Sequence, residues 1–455
     1  MDAAKAVGLG AALGVALLAA PGGQPGLPLD EGAKVAHLLR RAGFGGSAEE
    51  LAEYRALGLA GAVARLVDYE SVPDDVEEKL LLFYFDAAKL YDAQRRWVLR
   101  MLWSRRPLQE KMVLFWHGLL TSANSKVGRP ELMQRQNDFF RAHALDDYGT
   151  ILKGISRDPA MMLFLDTHNS RRAHPNENYA RELLELFSTG IGPYGERDVQ
   201  EAARAFTGWT VPKDGQPVFN QSQFDPGEKQ FLGATVRTAD EVIDAIVAHP
   251  ATARFVSAKL FAFFVHPAPD ERELEPLARL FGETGGSIRA LVRAILSSEA
   301  FYSRRAYRAR LKSPAEYAVG VLRQLGVPSD GSGVVERMIR MGQNLYNPPN
   351  VAGWPGGRSW LNSGTWIERL NYANAATAAR GDQGMLSLPL GRYLDERGLR
   401  RPDEIVDHFL ALLVDGRVGA ESRRVLSEHL GPAPTEAQQR GLVYLILAMP
   451  EYQLC

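Results

Sequence analysis

The 455-residue chain carries 53 Lys and Arg against 54 Asp and Glu, a formal net charge of -1, which leaves no electrostatic footprint for nucleic acid or an anionic lipid surface. Hydrophobic residues at 45% and charged residues at 24% are globular values, enough for the core of one large or two modest domains. The single cysteine, Cys455, excludes an internal disulfide framework and any multi-cysteine metal site.

Residues 1–28 stand apart. Ala6 to Ala20 is a small-apolar run followed by Pro21-Gly22-Gly23-Gln24-Pro25-Gly26. It falls short of the roughly 20 apolar residues of a membrane span and fits the apolar region of a secretory leader, with Ala19-Ala20 near the cleavage point. A buried or amphipathic N-terminal helix is the alternative. Export is therefore favoured over a cytoplasmic location, and no integral membrane segment is expected. Gly8-x-Gly10 is no dinucleotide fingerprint, because no strand precedes it and the third glycine is misplaced.

From Gly32 to about Tyr69 the apolar period is helical, broken at Gly43-Phe44-Gly45-Gly46, with Ser47 capping the next helix. Asp74 to Trp103 reads as a long helix or a helix pair. Trp103 to Leu120 follows past Pro107 and carries Trp116-His117. A lone histidine beside a core tryptophan is ordinarily a hydrogen-bonded packing residue. Pro130 to Ala144 is a further helix, and Asp158-Pro159 opens the apolar run Ala160 to Leu165, which Asp166 ends.

The densest polar stretch is 174–190, His174-Pro175-Asn176-Glu177-Asn178-Tyr179-Ala180-Arg181-Glu182-Leu183-Leu184-Glu185-Leu186-Phe187-Ser188-Thr189-Gly190. His174 or Asn176 is placed to cap a helix, Pro175 suits its first turn, and Gly190 suits its stop. Tyr179, Leu183, Leu186 and Phe187 recur at helical spacing and face a core. Asn178, Glu182 and Glu185 share a second stripe, and Arg181 is spaced to pair with Glu177 or Glu185. Two carboxylates one turn apart repel; buried, they require a cation, an arginine or a proton. Asp166, His168, His174 and Glu177 are ligand types, yet no established metal spacing is met.

Asp198 to Phe206 is another helix, stopped by Thr207-Gly208-Trp209-Thr210. The segment 207–235 is polar, aromatic and punctuated by Pro and Gly, a long loop or short hairpin suited to rim the signature helix. Helices return from Thr238 to Glu316. Leu291 to Tyr302 is similar to Leu442 to Gln453, which suggests a duplicated packing unit. Between them lies a second loop segment, 342–372, with Trp354, Trp360 and Trp366 at six-residue steps. Such tryptophans stack on ligands or plug holes between helices. Gly381 to Leu388 reads as a linker. Paired arginines such as Arg40-Arg41 and Arg423-Arg424 read as exposed or salt-bridged singles, not a binding stripe.

Several of these motifs together resemble one bacterial family, the domain of unknown function 1800. They are Pro175-Asn176-Glu177-Asn178-x-Ala180-Arg181-Glu182-Leu183-x-Glu185-Leu186-Phe187-x-x-Gly190, His37-Leu38-Leu39-Arg40-Arg41-Ala42-Gly43-Phe44-Gly45, Phe115-Trp116-His117 and Asp158-Pro159-Ala160-Met161-Met162. Further on come Asp198-Val199-x-Glu201-Ala202-Ala203-Arg204-Ala205-Phe206-Thr207-Gly208-Trp209, Lys229-x-Phe231-Leu232-Gly233 and Asn347-Pro348-Pro349-Asn350-Val351-x-Gly353-Trp354-Pro355-Gly356-Gly357. The resemblance covers nearly everything after about residue 30 and implies a mostly helical fold, with no activity attached.

The expected fold is mainly α, one large multi-helical domain over 29–455 with long Pro/Gly/Trp-rich loop segments. Three functional readings stand. The first is an envelope hydrolase or lyase with Glu182 and Glu185 as acid and base, Asp166 and Arg181 in support, and Asn178, Trp209, His117 and Trp354 around the substrate. A divalent metal on Asp166, Glu182, Glu185 and His117 would assist it. The second is a non-catalytic binding or assembly protein whose tryptophan loops hold a partner. The third is a metal or redox enzyme.

Overall fold

The computed structural model describes residues 28–380 and 388–455. The leader reading of 1–28 and the linker reading of 381–388 lie outside the described residues, apart from Pro28 and Leu388. Among the described residues there are 24 α-helices and four strands of two or three residues, so the fold is mainly α. Among the described residues one continuous apolar core runs from Val35 to Tyr452. No helix among the described residues is long and apolar enough to cross a membrane.

Local chemistry sets most helix starts. The Ser47 hydroxyl accepts from the Glu50 amide while the Glu50 carboxylate accepts from the Ser47 amide, a reciprocal cap that satisfies two orphan donors. Asp158 caps Pro159–Phe164, and proline opens the helices Pro107–Leu119 and Pro130–Ala142. The expected helix or helix pair over 74–103 resolves into Val76–Leu80 and Leu90–Trp103. Between them Leu81, Leu82 and Tyr84 are exposed, while Phe83 and Phe85 pack beside Arg95.

The signature helix is shorter than the 174–190 the sequence suggests: it spans Asn178–Glu185. At its start, Asn176 Oδ1 accepts from the Asn178 amide at 2.9 Å, a local turn and not a helical cap. At its end the hydroxyls of Ser188 and Thr189 donate to the carbonyls of Leu183 and Leu184, which compete with the helical ladder and unwind it. Gly190 then adopts φ 73°, the left-handed stop expected of it.

The 207–235 segment is two small hairpins, not one long loop. Trp209–Thr210 pairs with Val218–Phe219, and Lys229–Phe231 pairs with Ala234–Val236. In the second, Leu232 and Gly233 both have positive φ, the geometry of a two-residue hairpin turn. Leu232 is held there by its amide, which donates to Asp198 Oδ1 at 2.8 Å. Buried Lys229 is neutralised by dipoles, donating to the carbonyls of Asp225 and Arg237.

The two similar segments do share one backbone pattern. Ser298 N donates to Ile295 O and Phe301 N to Ser298 O; at the equivalent positions Met449 N donates to Ile446 O and Tyr452 N to Met449 O. Phe301 and Tyr452 both sit at 0% exposure. The motif is a way of turning off a helix and driving an aromatic ring into the core.

Candidate functional site

The signature helix buries Tyr179, Ala180, Leu183 and Leu184, with the Tyr179 hydroxyl bonded to Ser156 Oγ at 2.5 Å. Its polar residues do not form the single connected cluster that their spacing suggests. They separate into three groups. Arg181 turns outward, donating to Glu177 at 3.1 Å and to Glu196 of the next helix at 2.5 Å; it makes no ion pair with Glu185. Asp166, in a left-handed conformation at φ 62°, accepts from Lys126 Nζ at 2.7 Å and from Asn178 Nδ2 at 3.3 Å. Glu182 and Glu185 form the third group with Tyr194.

Glu182 is half-buried, and burial followed by the charge of Glu185 pushes its carboxyl above the usual range. Burial, then the charge of Glu185, likewise raises the Tyr194 phenol. Arg204 of the following helix pairs with Asp225 and Glu201.

Trp209 stands on its hairpin with its ring 5.1 Å from that of Phe219 and Arg157 5.6 Å above it. His117 is sealed in an aromatic box, its ring 5.6 Å from Trp97, 5.7 Å from Tyr346 and 5.4 Å from Trp354. Burial pushes its pKa down to about 3, and its Nε2 has no hydrogen-bond partner. It packs as a neutral ring, without the hydrogen bond expected of it. Asp166, Glu182, Glu185 and His117 do not converge as ligands: among the described residues no three His, Cys, Asp or Glu side chains are grouped to hold a metal ion.

A cavity of about 820 Å³ opens elsewhere. Glu182, Glu185 and Trp209 are not among its lining residues; of the signature segment only Leu186, just past the helix end, lines it. Trp354 and Trp360 of the second loop segment wall it, against the helices Pro107–Leu119 and Pro250–Phe264 and the segment 305–316. Trp366 is different: it is buried with Leu361, Leu370 and Ala448 in a separate small core.

The Trp354 loop is pinned by close backbone contact. Asn124 N donates to Tyr346 O, and Ser125 N to Asn347 Oδ1. Gly353 has φ 81°, and a Cβ there would lie 2.2 Å from the Gly118 carbonyl oxygen. Only glycine allows the loop to press onto the helix end and present the next residue, Trp354, to the cavity.

The cavity wall is rich in cations that the sequence reading passed over: Lys259, Arg305, Arg308, Arg310 and Arg358. The signal for Arg305, Arg308 and Arg310 was present in the run Arg304-Arg305-Ala306-Tyr307-Arg308-Ala309-Arg310-Leu311-Lys312. Arg40 and Arg41, by contrast, are buried structural cations. Arg40 pairs with Asp415, and Arg41 donates to the carbonyls of Phe263, Phe264 and Val265.

Comparison with known proteins agrees with this architecture in extent. A family model described as protein of unknown function (DUF1800) matches residues 37–454. No curated protein and no solved structure matches the chain. With helix, hairpin and loop motifs all inside that single match, the chain belongs to the DUF1800 family.

Proposed function

We propose that this protein binds a small ligand in the cavity beneath the 346–361 loop, with Trp354 and Trp360 as its aromatic walls. The observation that carries the reading is the cavity itself: about 820 Å³, the size range of small-molecule sites, lined by two tryptophans on a loop that a glycine contact holds in place. A ligand with a ring or other apolar body would stack there. The test uses fluorescent probes with the folded protein. Saturable binding of anilinonaphthalene sulfonate or its neutral analogue phenylnaphthylamine is expected, weakened by Trp354→Ala and by Ala262→Trp, which would fill the space. Binding unaffected by both substitutions would overturn the reading.

The hydrolase or lyase reading keeps one observation in its favour. Glu182 is half-buried and its carboxyl is raised by burial and by Glu185, the direction a general acid needs. Against it, neither glutamate lines the cavity. Glu182→Gln would leave probe binding unchanged under the binding reading.

A further inference from the structure

We propose that the ligand of this cavity carries an oxyanion, a carboxylate, phosphate or sulfate group, and that Arg310 receives it, with Lys259 and Arg358 drawing it in. The inference rests on the cavity being the binding site and names what that site selects.

Charge pairing around the cavity is uneven. Arg305 is occupied by Asp270 and Glu273, and Arg308 donates to the carbonyls of Arg417 and Val414. Lys259, Arg310 and Arg358 line the same space and have no carboxylate partner among the described residues. Two carboxylates face the cavity, Glu316 and Glu451. Glu316 is taken by Lys111 and by the Ser313 amide. Glu451 remains, against three cations that form no ion pair among the described residues, although Arg310 also feels the charge of Glu316.

Arg310 is the most exacting of the three. Its Cζ lies 5.2 Å from the centre of the Phe263 ring, so one face of the guanidinium is covered by an aromatic. Its Nη1 is buried without any hydrogen-bond partner. A buried charged donor left unmade costs free energy in a native structure and calls for a partner. Burial, then the charge of Arg41, holds the guanidinium below its ordinary range, although Glu316 and Cys455 attract it. Arg310 lines the cavity, and a planar guanidinium matches the paired oxygens of a carboxylate, phosphate or sulfate. The surrounding apolar surface, Phe115, Phe263, Trp354 and Trp360, excludes water and strengthens that contact.

The two probes separate this inference from the reading beneath it, because they share a ring system and differ in the sulfonate. Wild-type protein is expected to bind the sulfonate probe about 10-fold or more tighter than the neutral one, the scale of a charge-assisted hydrogen bond. Arg310→Gln should erase that preference and leave the neutral probe unchanged. Because Arg310→Gln could disturb folding, Arg358→Gln at the exposed mouth serves as a second variant, expected to reduce the preference by about 3-fold, the size of a weak exposed charge contact. Competition by inorganic phosphate, sulfate or acetate at constant ionic strength shows which oxyanion is favoured. Equal binding of both probes to wild type, or a preference intact in both variants, would overturn the oxyanion while sparing the cavity. Binding of neither probe would remove both.

Discussion

Lys111 donates to Glu316 across 205 residues of chain, with the two side chains at 0% and 5% exposure. The same ammonium donates to the Gly43 carbonyl at 3.0 Å. One cation thus joins the turn after the helix Glu31–Arg41, the helix Pro107–Leu119 and the helix Pro314–Leu325, whose Glu316 lines the cavity. It also cancels a carboxylate that would otherwise oppose an anionic ligand.

Glu316→Gln should therefore destabilise the protein by about 3–5 kcal/mol at pH 7 in urea unfolding, since it strands a buried ammonium. Burial alone would raise the Glu316 carboxyl, but the charges of Lys111 and Arg310 hold it far below the usual range. The native state then binds fewer protons here than the unfolded chain. The stabilisation is complete above about pH 4.5 and is lost as pH falls towards the native pKa, so the penalty of the substitution shrinks in acid.

Lys312 behaves in the opposite sense. Burial, with the charge of Arg40, lowers its pKa to about 7, and the Tyr452 ring 3.4 Å away offsets only part of the cost of its charge. The native state releases this proton above about pH 7, whereas the unfolded lysine keeps it to about pH 10.4. Wild-type stability from this group therefore rises with pH across that window. Lys312→Met is expected to stabilise the protein by about 1–4 kcal/mol below pH 7, with the gain fading as pH rises. A gain independent of pH would contradict the assignment.

Gly353→Ala should cost more than about 1 kcal/mol, because the position combines positive φ with a backbone oxygen where the methyl must go. The displaced loop would carry Trp354 with it, so probe binding should weaken together with the melting temperature. Normal binding in a destabilised variant would show that the loop does not set the wall.

Arg181→Leu should change stability by less than about 1 kcal/mol, as its partners Glu177 and Glu196 are solvent-accessible. The sequence suggests a larger loss, from carboxylates stranded inside a packed face. Thermal unfolding of the variant at low and high salt would distinguish the two.

Glu182→Gln is expected to raise stability at neutral pH by no more than about 1 kcal/mol. Burial and Glu185 raise the native carboxyl, so its ionised form is the disfavoured one. Stability is lost as pH climbs through the native pKa, and the variant should gain nothing below about pH 4.5. Equal gains at pH 4 and pH 7 would refute this.

Much of the fold was legible in local chemistry. Ser47 caps where its spacing suggests, and Pro107 and Pro130 open helices, because each acts through hydrogen bonds and dihedrals within four residues of itself. The shortened signature helix was less so. Ser188 and Thr189 read as polar residues near a stop, and only the observed bonds to Leu183 and Leu184 reveal that they unwind the last turn.

The candidate site divides along the same line. Periodicity put Asn178, Glu182 and Glu185 on one stripe, and Pro/Gly/Asn composition marked a tryptophan-bearing loop over 342–372, which is a loop only as far as Asn362: the helix Ser363–Thr377 takes up the rest and carries Trp366. Which groups meet was decided by packing. Arg181 faces Glu196 because the next helix lies there, and Asp166 faces Lys126 because the loop before the signature folds back. Trp354, Lys259 and Arg310 share a cavity because the core brings together segments up to about a hundred residues apart. Helical spacing specifies a direction around one axis, whereas a binding site needs the relative placement of several, and that placement comes from the burial of the whole core at once.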